Sequence, residues 1–359
     1  MEKEGKAMKL NKLLVGILVI CIAAGCLSAC SGSGDSGTSS SGSGETYSFS
    51  FTIHDPSTSV KTQFYEDLAE TTKEATDGAV DITVYSGGTL VASTDVAEAI
   101  LADTADIGWL FTGFFVGQFP ITDAMTLPMI FDDSVIASEV FNDLFENSED
   151  LQEELSDYKV LGVYCAPITY IYTVDTTIES LDDISGLTLR SPAGVCTDIV
   201  TDWGASPISM GPSDLYESIE KGVIDGFLLD WSGVKSYTLQ EVVDYCIEIP
   251  VNVGVFMVVM NKEKWESLPE EYQEIMDELW GREASIDIAE LYVEDANDAI
   301  EAAEELGVEF IEPTDEAYAE FESVAEEYVE NWIAENTTDT FDAQAYYDLL
   351  ISYRDSYYE

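Results

Sequence analysis

The chain has 359 residues, with 71 Asp or Glu against 14 Lys or Arg and a single His, giving a formal charge of −57. So acidic a protein excludes nucleic acid as a partner, because phosphate would be repelled instead of neutralised. One histidine excludes His-rich metal sites; no Gly-x-Ser-x-Gly elbow, phosphate-cradling Gly-rich loop or calcium loop is present, so no cofactor, metal or catalytic residue is expected.

Lys3, Lys6, Lys9 and Lys12 precede an apolar run over 13–22, which reads as an export signal too short to serve as a bilayer span. Leu27-Ser28-Ala29-Cys30 resembles a bacterial lipobox, with Cys30 as the expected lipid-bearing first residue; Ala23-Ala24-Gly25-Cys26 competes less well. Residues 1–30 are thus read as a lipoprotein signal peptide. Residues 31–45, almost all Ser, Gly, Asp and Thr, are read as a flexible tether that holds a domain off the membrane. Outside the leader only Cys165, Cys196 and Cys246 remain. Three scattered cysteines give no disulfide framework, and buried thiols are the expectation.

About 310 residues follow, more than one core usually organises, so two lobes are expected. Strand 47–53, helix 60–74, strand 80–85, a helix ending near 102 and strand 105–110 form a βαβαβ unit with a parallel sheet. A second unit reads as strands 160–165, 169–174 and 187–190, helices 195–203 and 215–221, and strand 223–229. The two units share a pattern: Glu98-Ala-Ile100 lies eight residues before Asp106, and Glu217-Ser-Ile219 eight before Asp225, each aspartate leading into a strand beside Gly108 or Gly226. If the units are alike, the crevice beyond their strand ends is the place for a ligand. A strand at 253–260 returns, one long helix from Pro269 to 306 is predicted to brace both lobes, and the tail is helical. Lobe I is placed at 46–158, lobe II at 159–252, and the returning strand, bridging helix and C-terminal helices at 253–359.

Several motifs stand in a characteristic order: Tyr85-Ser86-Gly87-Gly88, Ala105-Asp106-Ile107-Gly108, Leu127-Pro128-Met129-Ile130-Phe131, Ser180-Leu181-Asp182-Asp183-Ile184-Ser185-Gly186-Leu187-Thr188-Leu189-Arg190-Ser191-Pro192, Gly204-Ala205-Ser206-Pro207, Gly222-Val223-Ile224-Asp225-Gly226, and Met260-Asn261-Lys262 before Ser267-Leu268-Pro269. With this ordered set the chain resembles the DctP-type solute-binding proteins of TRAP transporters over about 47–310. The resemblance implies a two-lobed periplasmic-binding-protein-like α/β fold with mixed sheets, a long interlobe helix and a helical C-terminal segment. It further implies an extracytoplasmic receptor, held at the membrane by its lipid, that closes on a small organic acid and passes it to a TRAP permease driven by an ion gradient. No enzyme activity is implied.

By the same resemblance, Arg190, one of three arginines, pairs with the ligand carboxylate. A planar guanidinium suits that task, since it grips two oxygens through short charge-assisted bonds. From spacing alone, Arg190 instead forms a structural ion pair with Asp182, Asp183 or Asp225. The chain departs from the sialic-acid-binding pattern at Tyr170, where that pattern has a second arginine, and at Leu229, followed by Asp230-Trp231, where it has an asparagine. These aromatic and apolar replacements favour a less polar monocarboxylate or an aromatic acid. Other candidates sit at predicted strand ends: His54 and Ser57, Trp109 and Thr112, Tyr170 and Tyr172, Phe227 and Trp231. For Trp109, Phe227 and Trp231, core packing competes with ligand stacking; Phe111, Phe114, Phe115 and Phe119 read as core. Two other roles for the chain as a whole are a sensory receptor presenting ligand to a membrane kinase and a secreted enzyme.

Overall fold

The computed structural model describes residues 46–358; the export signal, Cys30 and the tether lie outside the described residues. The strands are β1 (Tyr47–Thr52), β2 (Val80–Tyr85), β3 (Ile107–Phe111), β4 (Tyr158–Thr173), β5 (Thr188–Ser191), β6 (Ser206–Ser209), β7 (Gly226–Asp230), β8 (Tyr245–Asn261) and β9 (Glu309–Ile311). They run in the order β2-β1-β3-β8-β4-β7-β5-β6, with β9 on the free side of one end of β8.

That order is two copies of one pattern. In the first lobe β2-β1-β3 are parallel and β8 joins antiparallel; in the second β6-β5-β7 are parallel and β4 joins antiparallel. The aspartate pattern in the sequence has a matching physical basis. Asp106 Oδ2 accepts from the Ser50 N–H at 2.8 Å, tying β3 to β1, and Asp225 Oδ2 accepts from the Thr188 N–H at 2.7 Å, tying β7 to β5. The registers agree as well, since Thr52 faces Gly108 as Arg190 faces Phe227.

β4 and β8 belong to both lobes. The sequence reads two strands where the 16-residue β4 is continuous, and places the start of β8 eight residues late, because Pro167 and Pro250 remove ladder donors. The sheet absorbs both prolines by register shifts, at Cys165/Ile168 and between Thr169 and Ile171 on β4, where β8 passes from Asn252 to Ile247.

Alternation along these strands builds two cores per lobe. Val253, Val255, Met257 and Val259 face a cluster with Leu110, Phe141 and Leu350, whereas Phe256, Val258 and Met260 face another with Phe51, Tyr65 and Trp280. In the second lobe Ile171, Leu228 and Ile247 pack with Phe321, and Tyr172, Phe227 and Cys246 pack with Ala299 on the opposite face. All three cysteines in this part of the chain are buried and free.

The predicted long helix is two, Glu270–Trp280 and Arg282–Leu306, divided at Gly281, where a Cβ would lie 2.6 Å from the Asp277 carbonyl oxygen. The second of these packs on helices of both lobes, Val60–Ala75 and Ser134–Asn147 in the first and Trp231–Ser236 in the second. Its first residue, Arg282, is tied to Glu139, Asp143 and Glu146. The C-terminal helices Asp315–Asn336 and Ala343–Tyr358 close the molecule over the second and first lobes respectively. Among the described residues no helix is long and apolar enough to cross a membrane.

Candidate ligand-binding cleft

The parallel strands of the two lobes end at a shared crevice, a cavity of about 70 Å3. That space holds a few waters or one small ligand. Strand ends furnish its walls in matched pairs: His54 beyond β1 and Pro192 beyond β5, Trp109 on β3 and Leu228 on β7. A second, smaller recess continues from it past Phe111, Thr169, Pro192 and Gly254, toward Thr112, Asp123 and Asn252.

Arg190 reaches the cavity from β5 with only 2 % of its surface exposed. Its Nε donates to the Met210 carbonyl at 2.9 Å and its Nη1 to the Leu228 carbonyl at 3.0 Å. These two bonds fix the guanidinium plane. No carboxylate lies within ion-pair distance among the described residues, whereas Arg282 and Arg354 are both paired. The structural ion pair read from spacing is not formed: Asp225 holds Thr188, and Asp183 caps a turn at Ser180. Burial lowers the Arg190 pKa to about 10, so the side chain remains cationic at neutral pH while its charge lacks a counter-ion. A buried cation in that state gains from any anion that enters.

The first lobe supplies an aromatic wall. Trp109 stacks on Phe256 with centroids 4.5 Å apart and also lies 4.5 Å from the His54 ring; Phe111 meets Phe114 edge-on at 5.0 Å. Trp109 is anchored from behind by donating its Nε1–H to the Tyr164 hydroxyl, which also accepts from Tyr65. Phe111 and Phe114 line the cavity, while Phe115 and Phe119 are core as expected from the sequence. Burial drives the His54 pKa down to about 4 against a smaller opposing effect of Asp55, so its imidazole is neutral at pH 7.

Two further charges reach the cavity from a network the sequence does not reveal. Lys61, 2 % exposed, pairs with Asp55 at 3.1 Å, donates to Ser232 and Ser236 at 2.9 Å each, and sits 4.7 Å above the Tyr292 ring. It thereby joins the first lobe's opening helix to the second lobe and to the bridging helix. Burial pushes the Asp55 carboxyl up, but Lys61, His54 and Ser59 together hold it below its ordinary value. Asp230, at the end of β7, caps the helix Trp231–Ser236 through the Gly233 N–H at 2.8 Å, and burial raises its pKa.

Of the residues singled out from sequence, Arg190, Trp109, Leu229, Asp230 and His54 line the cavity and Thr112 lines the adjoining recess. Tyr172, Phe227 and Trp231 lie elsewhere. Tyr172 stacks on Phe227 at 4.9 Å and meets Trp231 edge-on at 4.9 Å, inside the second lobe's core. Their side chains point to the face of β4 and β7 opposite Ile171 and Leu228, a consequence of strand alternation. Tyr170 is half-buried opposite Leu229 in the β4–β7 ladder and does not line the cavity, and Ser57 is exposed. Phe256, Tyr237 and Tyr292 line it without having been singled out, being indistinguishable from core aromatics by spacing. Among the described residues no cluster of three His, Cys, Asp or Glu is placed to hold a metal.

Two similar α/β lobes joined by crossing strands, with a cationic, aromatic cleft between them, define a two-lobed solute-binding protein. The chain belongs to the bacterial extracellular solute-binding protein family 7, DctP, which it matches over residues 51–336. It is 26% identical over 275 residues to the C4-dicarboxylate-binding periplasmic protein DctP of Rhodobacter capsulatus, covering 72% of this chain and 78% of that one. Among solved structures it is similar to a marine metagenome TRAP solute-binding protein specific for aromatic acid ligands, in complex with metahydroxyphenylacetate, at a TM-score of 0.82 and 23% identity, covering 87% of this chain and 99% of that one. It is also similar to a TRAP solute-binding protein from Rhodoferax ferrireducens in complex with copurified benzoate, with TM-score 0.81, 20% identity and coverages of 87% and 99%.

Proposed function

We propose that this protein is an extracytoplasmic receptor for a small aromatic monocarboxylate, anchored through lipid on Cys30, that delivers its ligand to a TRAP permease. The observation that carries the ligand class is a buried Arg190 that has no carboxylate partner among the described residues and faces a cavity walled by Trp109, Phe111, Phe114 and Phe256. The guanidinium takes the carboxylate, and the rings bury the aromatic body through stacked and edge-on contacts. The similarity to receptors solved with metahydroxyphenylacetate and benzoate supports this reading. Ligand touches Arg190 from one lobe and Trp109 from the other only when the lobes are together, so binding favours the closed form, the state offered to the permease.

Thermal melts with benzoate, succinate and glucuronate test the ligand class. Benzoate at one hundred times its Kd stabilises the protein by about 2.7 kcal/mol. Stabilisation by succinate or glucuronate with none by benzoate overturns the proposal.

A further inference from the structure

Once Lys61 and Asp55 are matched with each other, the cavity retains one unmatched cation and one unmatched anion. Arg190 is the first. The second is Asp230: among the described residues no cation lies within ion-pair distance of its carboxylate, and the donor that reaches it from another residue is the Gly233 N–H. The two groups stand on neighbouring parallel strands in fixed relation. Arg190 Nη1 is bonded to the carbonyl of Leu228, and Asp230 lies two residues farther along the same strand. At the rise of a β-strand the backbone positions of Leu228 and Asp230 stand about 7 Å apart, which sets the scale of the gap between a guanidinium bonded at the first and a carboxylate carried by the second. It suits a single benzene ring carrying a carboxylate at one end and a meta or para substituent at the other.

We infer that Asp230 is a specificity-determining residue that selects an aromatic carboxylate bearing a hydrogen-bond donor, a hydroxyl or amine, on the side of the ring away from the carboxylate, and rejects a second carboxylate there. This rests on the aromatic-monocarboxylate reading and deepens it. A donor on the ring satisfies an acceptor that otherwise loses water when the cleft closes, whereas a second carboxylate meets Asp230 with like charge in a partly dehydrated space. Leu229 and Phe114, which flank the cavity, have no polar atom to offer such a substituent. Asp55 does not compete for this role, because Lys61, Ser59 and Tyr237 occupy its oxygens.

The test is titration calorimetry of wild type and Asp230→Asn with benzoate, 3- and 4-hydroxybenzoate and isophthalate. Asparagine preserves the cap on Gly233 and the side-chain volume, so the fold is retained, which circular dichroism verifies. In wild type the better hydroxybenzoate binds about tenfold tighter than benzoate and isophthalate at least about tenfold weaker. In Asp230→Asn, the hydroxyl advantage over benzoate shrinks, and isophthalate rises to near benzoate. Equal wild-type affinity for benzoate and isophthalate overturns the inference alone, as does an Asp230→Asn variant that still excludes isophthalate. Absence of binding by every monocarboxylate overturns the aromatic-acid reading and this inference with it.

Discussion

Replacing Arg190 by Met separates ligand recognition from folding. A carboxylate held by the guanidinium fork forms two charge-assisted hydrogen bonds, each contributing about 1.5–3 kcal/mol. Their loss raises Kd by about 10²–10⁴-fold. Stability responds differently, because two opposing effects meet at the same side chain. The carbonyls of Met210 and Leu228 lose their donor, at about 1–3 kcal/mol each. Against this, a cation that is 2 % exposed and has no carboxylate partner among the described residues is removed, which relieves a desolvation penalty of several kcal/mol. The ligand-free variant therefore stays folded, within about 2 kcal/mol of wild type. Calorimetry gives the change in Kd, and urea unfolding without ligand gives the stability. Arg190→Lys keeps the charge but not the fork, so it recovers only part of the affinity. Ligand-induced stabilisation of undiminished size in Arg190→Met, or full affinity in Arg190→Lys, refutes the reasoning.

Three other outcomes follow from the same cleft and its surroundings. His54 has its pKa lowered to about 4 in the folded protein against 6.5 ordinarily, so the unfolded chain takes up its proton first and stability is lost as pH falls from about 6.5 toward 4. Unfolding curves across that window show wild type losing about 2–3 kcal/mol more than His54→Phe. Lys61→Met strands the buried Asp55 carboxylate and destabilises the protein by about 3–5 kcal/mol in urea titration, with Lys61→Met/Asp55→Asn recovering part of the loss. Asp123 is held up to about 7 by burial and, less strongly, by Glu154, so its charged form opposes folding as pH rises through the range between 3.8 and 7. Asp123→Asn raises the melting temperature at pH 8 more than at pH 4.

The parallel strands and their helices are legible in the sequence because alternation and the 3.6-residue period operate over short, independent stretches. The repeated aspartates at 106 and 225 are legible for a different reason, since each performs the same task of tying one parallel strand to its neighbour. β4 and β8 escape a local reading because their continuity through Pro167 and Pro250 depends on a partner strand that absorbs the register shift. The cleft divides in the same way. Arg190 announces itself as a scarce cation after an apolar run, but Lys61 looks like an ordinary solvated helix residue. It is buried only because Asp55, Ser232, Ser236 and Tyr292 converge on it from distant segments. Tyr172, Phe227 and Trp231 show the converse: being aromatic near a strand end does not decide which face of the strand a ring occupies.

The exchange of β4 and β8 bears on how the molecule is made. Each lobe borrows its antiparallel ribbon from chain that also serves the other, so a fragment cut between them starts with a raw sheet edge and half a hydrophobic floor. Ribosomal synthesis meets the same difficulty in time, because the first lobe waits for residues 253–261 before its sheet is complete. Early intermediates of this chain therefore present sticky edges that a holding chaperone has reason to shield.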